Sequence, residues 1–183
     1  MKAEATPLKG CFIIHDTIFN DSRGYFFESF NEKKFFELTE KSVDFVQDNQ
    51  SSSTKGVLRG LHFQRGEFAQ AKLVRVLKGK VLDVVVDIRK NSPTFGEHFS
   101  IELSEDSRTQ LFIPRGFAHG FAVLSESAVF FYKCDNYYNK ASEGGILYSD
   151  ETLGIDWQLP QNELILSEKD LQNPTLIEIA NTL

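Results

Sequence analysis

Between residues 73 and 135 the chain alternates short β-branched and aromatic runs with isolated turn residues, a pattern that predicts strands. Leu73–Leu77 and Val81–Arg89 meet at the turn Lys78-Gly79-Lys80, and Gly120–Leu124 and Ala128–Asp135 repeat that arrangement around Ser125-Glu126-Ser127. Further strands are expected at Gly10–Ile14, Tyr25–Ser29, Asp44–Ser51, Val57–Gln64, His98–Leu103 and Leu111–Ile113. Helical signals are confined to the two ends: Glu32–Thr39 behind an Asn31 N-cap, and a short helix opening at Ser167-Glu168-Lys169-Asp170. No internal repeat, low-complexity tract or linker breaks the chain; Gly, Pro and Ser fall singly at turn positions. Many short strands and few helices predict an all-β sandwich or barrel with a few short peripheral helices, not an α/β sheet. A length of 183 residues fits one domain spanning 1–183.

Composition adds the physical limits. With 41% hydrophobic and 25% charged residues, the chain is expected to fold, and its length buries roughly 70% of the unfolded surface without disulfide staples. Seventeen Phe against one Trp and one Met predict a core, or a pocket within it, walled by rigid aromatic discs. The balance of 20 Lys+Arg against 26 Asp+Glu, a net charge of −6, argues against coating nucleic acid or an anionic membrane. It leaves room for a small anion held by a few local cations. Cys11 and Cys134 lack metal or redox spacing and are too few for a disulfide framework. The start Met1-Lys2-Ala3-Glu4-Ala5-Thr6-Pro7 carries no apolar signal core, and no stretch reaches transmembrane length, so a soluble cytoplasmic protein with no membrane partner is expected.

Four histidines offer chemistry: His15, His62, His98 and His119. In a strand, Gly60-Leu61-His62-Phe63-Gln64 sets His62 and Gln64 on one face; such a histidine is ordinarily a hydrogen-bonded structural residue. His119 closes Pro114-Arg115-Gly116-Phe117-Ala118-His119, a turn feeding a strand. This Pro-x-Gly-x-x-His segment resembles the second motif of the cupin (jelly-roll) superfamily, and residues 60–64 sit about where the first motif belongs. A metal cupin wants His-x-His, a downstream Glu and the His of the second motif. This chain has His62-x-Gln64, and Lys72 falls near the Glu position, where an ammonium cannot ligate and repels a cation. No catalytic metal and no cofactor are therefore expected.

A wider match runs along nearly the whole chain. Asp21-Ser22-Arg23-Gly24-Tyr25-Phe26-Phe27-Glu28, Gln47-Asp48-Asn49, Gly56-Val57-Leu58-Arg59-Gly60-Leu61-His62, Ala71-Lys72-Leu73-Val74-Arg75-Val76 and Ile113–Phe121 occur in order. Gly144-Gly145-Ile146, Leu153-Gly154-Ile155-Asp156-Trp157 and Leu166-Ser167-Glu168-Lys169-Asp170 follow. Each block alone is weak, but the ordered set resembles the dTDP-4-dehydrorhamnose 3,5-epimerase family. One departure is Gln50, where many members carry His.

The resemblance implies a cupin-type jelly roll and a dTDP-linked 4-keto-6-deoxyhexose as substrate. Carbons 3 and 5 both flank the ketone, so each inverts by loss of an α-proton, enolate formation and return of a proton to the other face. By resemblance His62 is the base, a role imidazole suits near neutral pH. Asp170 is its implied orienting carboxylate, although Ser167-x-x-Asp170 also fits a capping box that would occupy that group. Asp83, in an otherwise apolar strand, is the second choice. Tyr132 is the implied acid; it shares strand parity with Phe130 and Cys134. Lys72 is the implied partner of the enolate oxygen. His119 and Arg59 are carried over as sugar- or phosphate-binding residues. The nucleotide set is Arg23, Glu28, Gln47, Asp48, Asn49, Glu143 and Lys169, with Tyr138 stacking on the base and Phe26 as a sandwich partner.

Parity raises one further expectation. Arg59 and His62 lie three apart, so a regular strand puts them on opposite faces. For both to serve one pocket, a bulge or strand end must intervene, or residues must cross between subunits. A homodimer is expected, in agreement with the family, with the N-terminal part, including Arg23 and Glu28, completing the neighbour's site. Three alternatives stay open at this point: an epimerase or 3,4-ketoisomerase acting on a related dTDP-4-keto sugar, a metal-dependent cupin, and a non-catalytic nucleotide-sugar binder.

Overall fold

Thirteen strands and three short α-helices follow one another in the computed structural model, which describes residues 1–183. The N-terminal third holds β1 (Lys2–Ala5), β2 (Phe12–His15), β3 (Phe19–Asp21), β4 (Gly24–Phe26), α1 (Glu32–Thr39) and β5 (Gln47–Thr54). The middle is all strand: β6 (Leu58–Gln64), β7 (Lys72–Lys78), β8 (Lys80–Asp87), β9 (His98–Ser104), β10 (Thr109–Ile113), β11 (Phe117–Val123) and β12 (Ser127–Cys134). β13 (Glu143–Gly145), α2 (Glu168–Leu171) and α3 (Leu176–Ile179) complete the chain. Two antiparallel sheets result, ordered β1-β2-β10-β7-β12-β5 and β13-β6-β11-β8-β9, with β3-β4 as a separate hairpin. This is the sandwich that the strand pattern predicts.

The near-continuous apolar run of β8 has a simple cause: its sheet is covered on both faces. Val81 and Val85 point between the sheets, into a cluster with Val74, Val76, Leu111, Phe121 and Phe130. Leu82, Val84, Val86 and Ile88 point outward, where Ile146, Tyr148, Trp157, Leu176 and Ile179 of the C-terminal segment lie over them. The six-stranded sheet is covered by α1, whose Phe35 packs with Ile14, Leu73 and Phe112. Phe35 meets Phe112 edge-on, with centroids 5.0 Å apart. Each such buried side chain stabilises the fold by about 1.5–3 kcal/mol. Much of the phenylalanine excess is therefore core.

Asn31 caps α1 as the sequence predicts, accepting from the Lys34 amide, and Glu40 ends the helix in the left-handed conformation. The two acids of β8 share the inward parity of Val81 and Val85. At Asp87, burial raises the carboxyl pKa, but hydrogen bonds from Arg89, Ser92 and Thr94 outweigh it and leave the group at about 2. Asp83 belongs to the site described below.

Several boundaries differ from the sequence pattern. The run expected at Tyr25–Ser29 is a strand only to Phe26, because its partner is the three-residue β3 and not a sheet. β5 starts at Gln47 and continues to Thr54, its polar residues held by eight pairings to β12. β1 is four residues long and alternates only Lys and Glu with alanine, and β13 and α3 carry no apolar alternation; α3 opens on a capping box between Thr175 and Glu178.

Candidate active site

The inner faces of β5, β6, β7, β11 and β12, with residues 165–170, enclose a cleft of about 550 Å³. His62 on β6 and His119 on β11 are cross-strand partners at its floor. Lys72 on β7, Tyr132 on β12 and Asn49 on β5 line the facing wall, and Glu143, Lys169 and Asp170 line its edge.

Arg59 and His62 both reach this cleft because the ladder slips between them. His62 pairs with His119 and Arg59 with Phe121, so three steps on β6 oppose two on β11. That extra residue is a bulge, one of the routes that parity left open. It needs glycine on both strands. Gly60 sits at φ +140°, and a Cβ there would fall 2.5 Å from the Gly120 Cα; a Cβ on Gly120 would fall 2.8 Å from the Arg59 carbonyl oxygen. Past the bulge, Arg59 Nε donates to Ser53 Oγ at 3.2 Å. Cross-subunit sharing is thus not required to explain this pair.

His62 Nε2 lies 2.6 Å from Asp170 Oδ1. Asp170 is 3% exposed. Burial raises its pKa, yet the contact with His62, together with hydrogen bonds from Ser167 and the Gly60 amide, outweighs burial and holds the carboxyl low. The capping competitor is resolved by a division of labour. Ser167 Oγ accepts from the Asp170 amide at 3.2 Å and so caps α2, and the Asp170 carboxylate, which also meets that hydroxyl, still reaches His62. Asp83, the second choice, faces His119 instead, with oxygens 3.0 and 3.2 Å from Nε2. Burial lowers the His119 pKa, and the nearby Lys72 and His62 add to the effect while Asp83 opposes it. The two histidines therefore sit in two separate acid–imidazole pairs, the His119–Asp83 pair being buried.

Lys72 Nζ stands 5.7 Å from the Tyr132 ring centroid. Burial pushes the ammonium pKa down, opposed by Cys134, Asp83 and Glu143. Burial pushes the Tyr132 phenol up, keeping it protonated and able to donate at neutral pH. Tyr132, Phe130 and Cys134 share one face of β12, as parity predicts, with Phe130 and Tyr132 centroids 6.1 Å apart.

The nucleotide candidates divide into three groups. Gln47, Asn49, Tyr138, Glu143 and Lys169 form one connected cluster. Gln47 donates to Asn49 at 3.1 Å and accepts from the Tyr138 amide at 3.1 Å, and Glu143 accepts from the Tyr138 hydroxyl at 3.0 Å and meets Lys169 at 2.6 Å. Burial raises the Glu143 pKa, but Lys169 and Tyr138 outweigh it. Asp48, next along β5, points to the other face and pairs with Lys133 at 3.0 Å. Arg23, Phe26 and Glu28 lie outside the cleft. Arg23 pairs with Asp21 at 2.6 Å on the β3–β4 hairpin, Phe26 is 71% exposed, and Glu28 pairs with Lys34 at 2.8 Å.

Phe121, Ser51, Val57, Ile165 and Leu166 also line the cleft, without having been singled out in the sequence. Phe121 and Ser51 were legible, since they share parity with His119 and Asn49. Ile165 arrives through an isolated bridge to Val57, a long-range contact with no local signal.

A family model described as dTDP-4-dehydrorhamnose 3,5-epimerase matches residues 5–178. The chain belongs to the dTDP-4-dehydrorhamnose 3,5-epimerase family. It is 55% identical to the dTDP-4-dehydrorhamnose 3,5-epimerase of Salmonella typhimurium over 93% of both chains. Its fold superposes on the dTDP-4-dehydrorhamnose 3,5-epimerase of Elizabethkingia anophelis with a TM-score of 0.95, at 58% identity and 97% coverage of each chain. The dTDP-6-deoxy-D-glucose-3,5-epimerase of Legionella pneumophila, solved in complex with dTDP-4-keto-L-rhamnose, matches with a TM-score of 0.93 and 48% identity over 97% of this chain and 94% of that one. The protein is an isomerase, a 3,5-epimerase of the dTDP-rhamnose pathway, and its two sheets form the cupin-type jelly roll that the motifs imply.

Proposed function

We propose that this epimerase converts dTDP-4-dehydro-6-deoxy-D-glucose to dTDP-4-dehydro-L-rhamnose by general acid–base enolisation without a metal. The observation that carries this reading is the 2.6 Å His62–Asp170 contact in a cleft shared with Lys72 and Tyr132. With one imidazole nitrogen held by a buried carboxylate, the other is the one left to take an α-proton, and Asp170 stabilises the imidazolium that forms. The electron pair released from the C–H bond moves onto the ketone oxygen, where the Lys72 ammonium meets the developing charge. Tyr132 gives its phenolic proton to the opposite face of the same carbon, and exchange with water resets phenol and imidazole. Two such cycles, one on each side of the ketone, invert carbons 3 and 5. The side chains present favour a metal-free route: each histidine of the cleft has its own carboxylate, the Lys72 ammonium lines the same cleft, and no three His, Cys, Asp or Glu gather as a ligand set.

For the nucleotide, Arg59 and Lys169 supply cations for the diphosphate, and Gln47, Asn49 and Tyr138 supply amide and aromatic contacts for the base. Arg23 and Phe26 sit on, and Glu28 just beyond, a hairpin that pairs with no other strand and exposes Phe19, Tyr25 and Phe26. Such an aromatic arm favours a homodimer in which each arm completes the other chain's site. Sedimentation velocity is expected to give a dimer; a fully active monomer overturns that assembly. No helix is long and apolar enough to cross a membrane, and we place the reaction in the cytoplasm on a soluble nucleotide sugar.

The test of the chemistry is solvent exchange. In D₂O the dTDP-4-keto sugar is expected to take up deuterium at carbons 3 and 5, at a rate that EDTA leaves unchanged. Exchange confined to one carbon overturns the double inversion, and loss of exchange in EDTA overturns the metal-free mechanism.

A further inference from the structure

Gln110 is a polar residue in a strand whose five residues are all buried. Its neighbours Leu111 and Ile113 pack between the sheets and Phe112 packs under α1. By parity Gln110 shares the outer face with Phe112, away from the catalytic cleft. The residue is 2% exposed, and its one amide nitrogen makes two hydrogen bonds, to Asp16 Oδ2 at 2.7 Å and to the Ser29 carbonyl oxygen at 2.7 Å.

Those two acceptors bracket one excursion of the chain. Residues 16–29 leave the six-stranded sheet after β2, form the β3–β4 hairpin and return ahead of α1. The hairpin strands pair only with each other. Beyond the clamp, the ties at this arm are the Met1 amino group on Thr17 at 2.6 Å, the Glu28–Lys34 ion pair at 2.8 Å, which is exposed, Arg75 over the Phe27 ring and Arg108 over the Tyr25 ring. A primary amide suits the clamp because a single nitrogen carries two donors in fixed geometry, enough to draw both ends of a loop to one point. Asp16 has no ready substitute for it, since its other oxygen is buried without any partner.

We infer that Gln110 is a positioning residue for substrate binding: its amide staples the root of the hairpin arm so that Arg23, Phe26 and Glu28 are delivered at a fixed place to the nucleotide site of a second copy of this chain. The inference rests on the dimer reading above. Losing the staple loosens the arm and weakens nucleotide binding, while the proton-transfer groups, on the other side of the sheet, stay where they are.

Gln110→Leu removes both donors at similar volume, and Gln110→Asn keeps the amide but is one methylene too short to hold both acceptors. In each, the affinity for dTDP and the KM are expected to weaken about tenfold, with kcat changed less than about twofold. The Asn variant keeps the test open if the Leu variant misfolds. A lowered kcat with unchanged KM, or unchanged dTDP affinity in a folded variant, overturns the clamp. Two controls separate that failure from failure of the underlying reading. Arg23→Ala must weaken dTDP binding; if it does not, the arm does not bind nucleotide, and the inference falls with that reading. Mixing the Gln110→Leu and His62→Ala proteins under subunit exchange must create sites with wild-type KM, because the cleft that keeps His62 then receives an intact arm. If Gln110→Leu weakens binding but mixing restores nothing, the clamp stands and the exchange of arms between subunits is wrong.

Discussion

Replacing His62 with alanine slows deuterium uptake at carbons 3 and 5 together, by about 10²–10⁴-fold, while dTDP affinity holds. The joint loss is the informative part. Both carbons are α to one ketone, so a single base serves both if the sugar ring turns or shifts between cycles. His62 is the histidine placed for that work. It lines the cleft and its carboxylate partner approaches through one oxygen. His119 is buried against both oxygens of Asp83, with its pKa pushed down by burial. Asp170→Asn keeps a polar contact but removes the charge that stabilises imidazolium, so its loss is smaller than that of the histidine and falls equally on the two carbons. Native exchange at either carbon in the His62→Ala protein removes His62 as the base for that carbon. Steady-state kinetics alone would blur this, so exchange at each carbon must be read separately by NMR.

Lys72→Met lowers kcat by about 10²–10³-fold with little change in KM. The ammonium is half-buried on β7, and burial alone pushes its pKa down; Asp83 and Glu143 offset this only in part. A ketone does little for such a charge. An enolate does a great deal, so the interaction strengthens as the reaction proceeds and appears in kcat. The pH profile carries the same signature. Activity that depends on protonated Lys72 is present below its pKa and lost as pH rises through it. Because that pKa is depressed, the alkaline fall begins at lower pH than an ordinary lysine would give. In Lys72→Met that limb disappears from the residual activity, leaving the later limb of Tyr132, whose phenol is shifted up. A raised KM with native kcat assigns Lys72 to uniform substrate binding instead.

How much of this was legible in the sequence depends on the range of the interaction. Period-two alternation located the central strands and the inward set Phe130, Tyr132 and Cys134, because burial between two sheets imposes parity directly. It also flagged the conflict between Arg59 and His62, yet could not choose its resolution: a bulge depends on Gly60 meeting Gly120, sixty residues away. The partner of His62 was undecidable for the same reason, since Asp170 is 108 residues distant and its local environment reads equally as a helix cap. Asp48 shares a sequence block with Gln47 and Asn49, and strand alternation turns it to the opposite face from Asn49, toward Lys133. β13 left no trace because Gly144 and Gly145 have no side chains to alternate; it is held by pairing to β6 alone.

The glycine crossing beneath the two histidines also sets where this cleft is free to change. At Gly60 and Gly120 the two backbones already occupy the space a methyl group would need, so neither position accepts a side chain without parting the strands that carry His62 and His119. The floor is closed to variation by geometry, independent of any chemical role. Asn49, Gln50 and Ser51 on the edge strand β5, and Ile165 and Leu166 opposite, face no such barrier. Substitutions that reshape the cleft without parting the strands of His62 and His119 are therefore expected on the rim, away from Gly60 and Gly120.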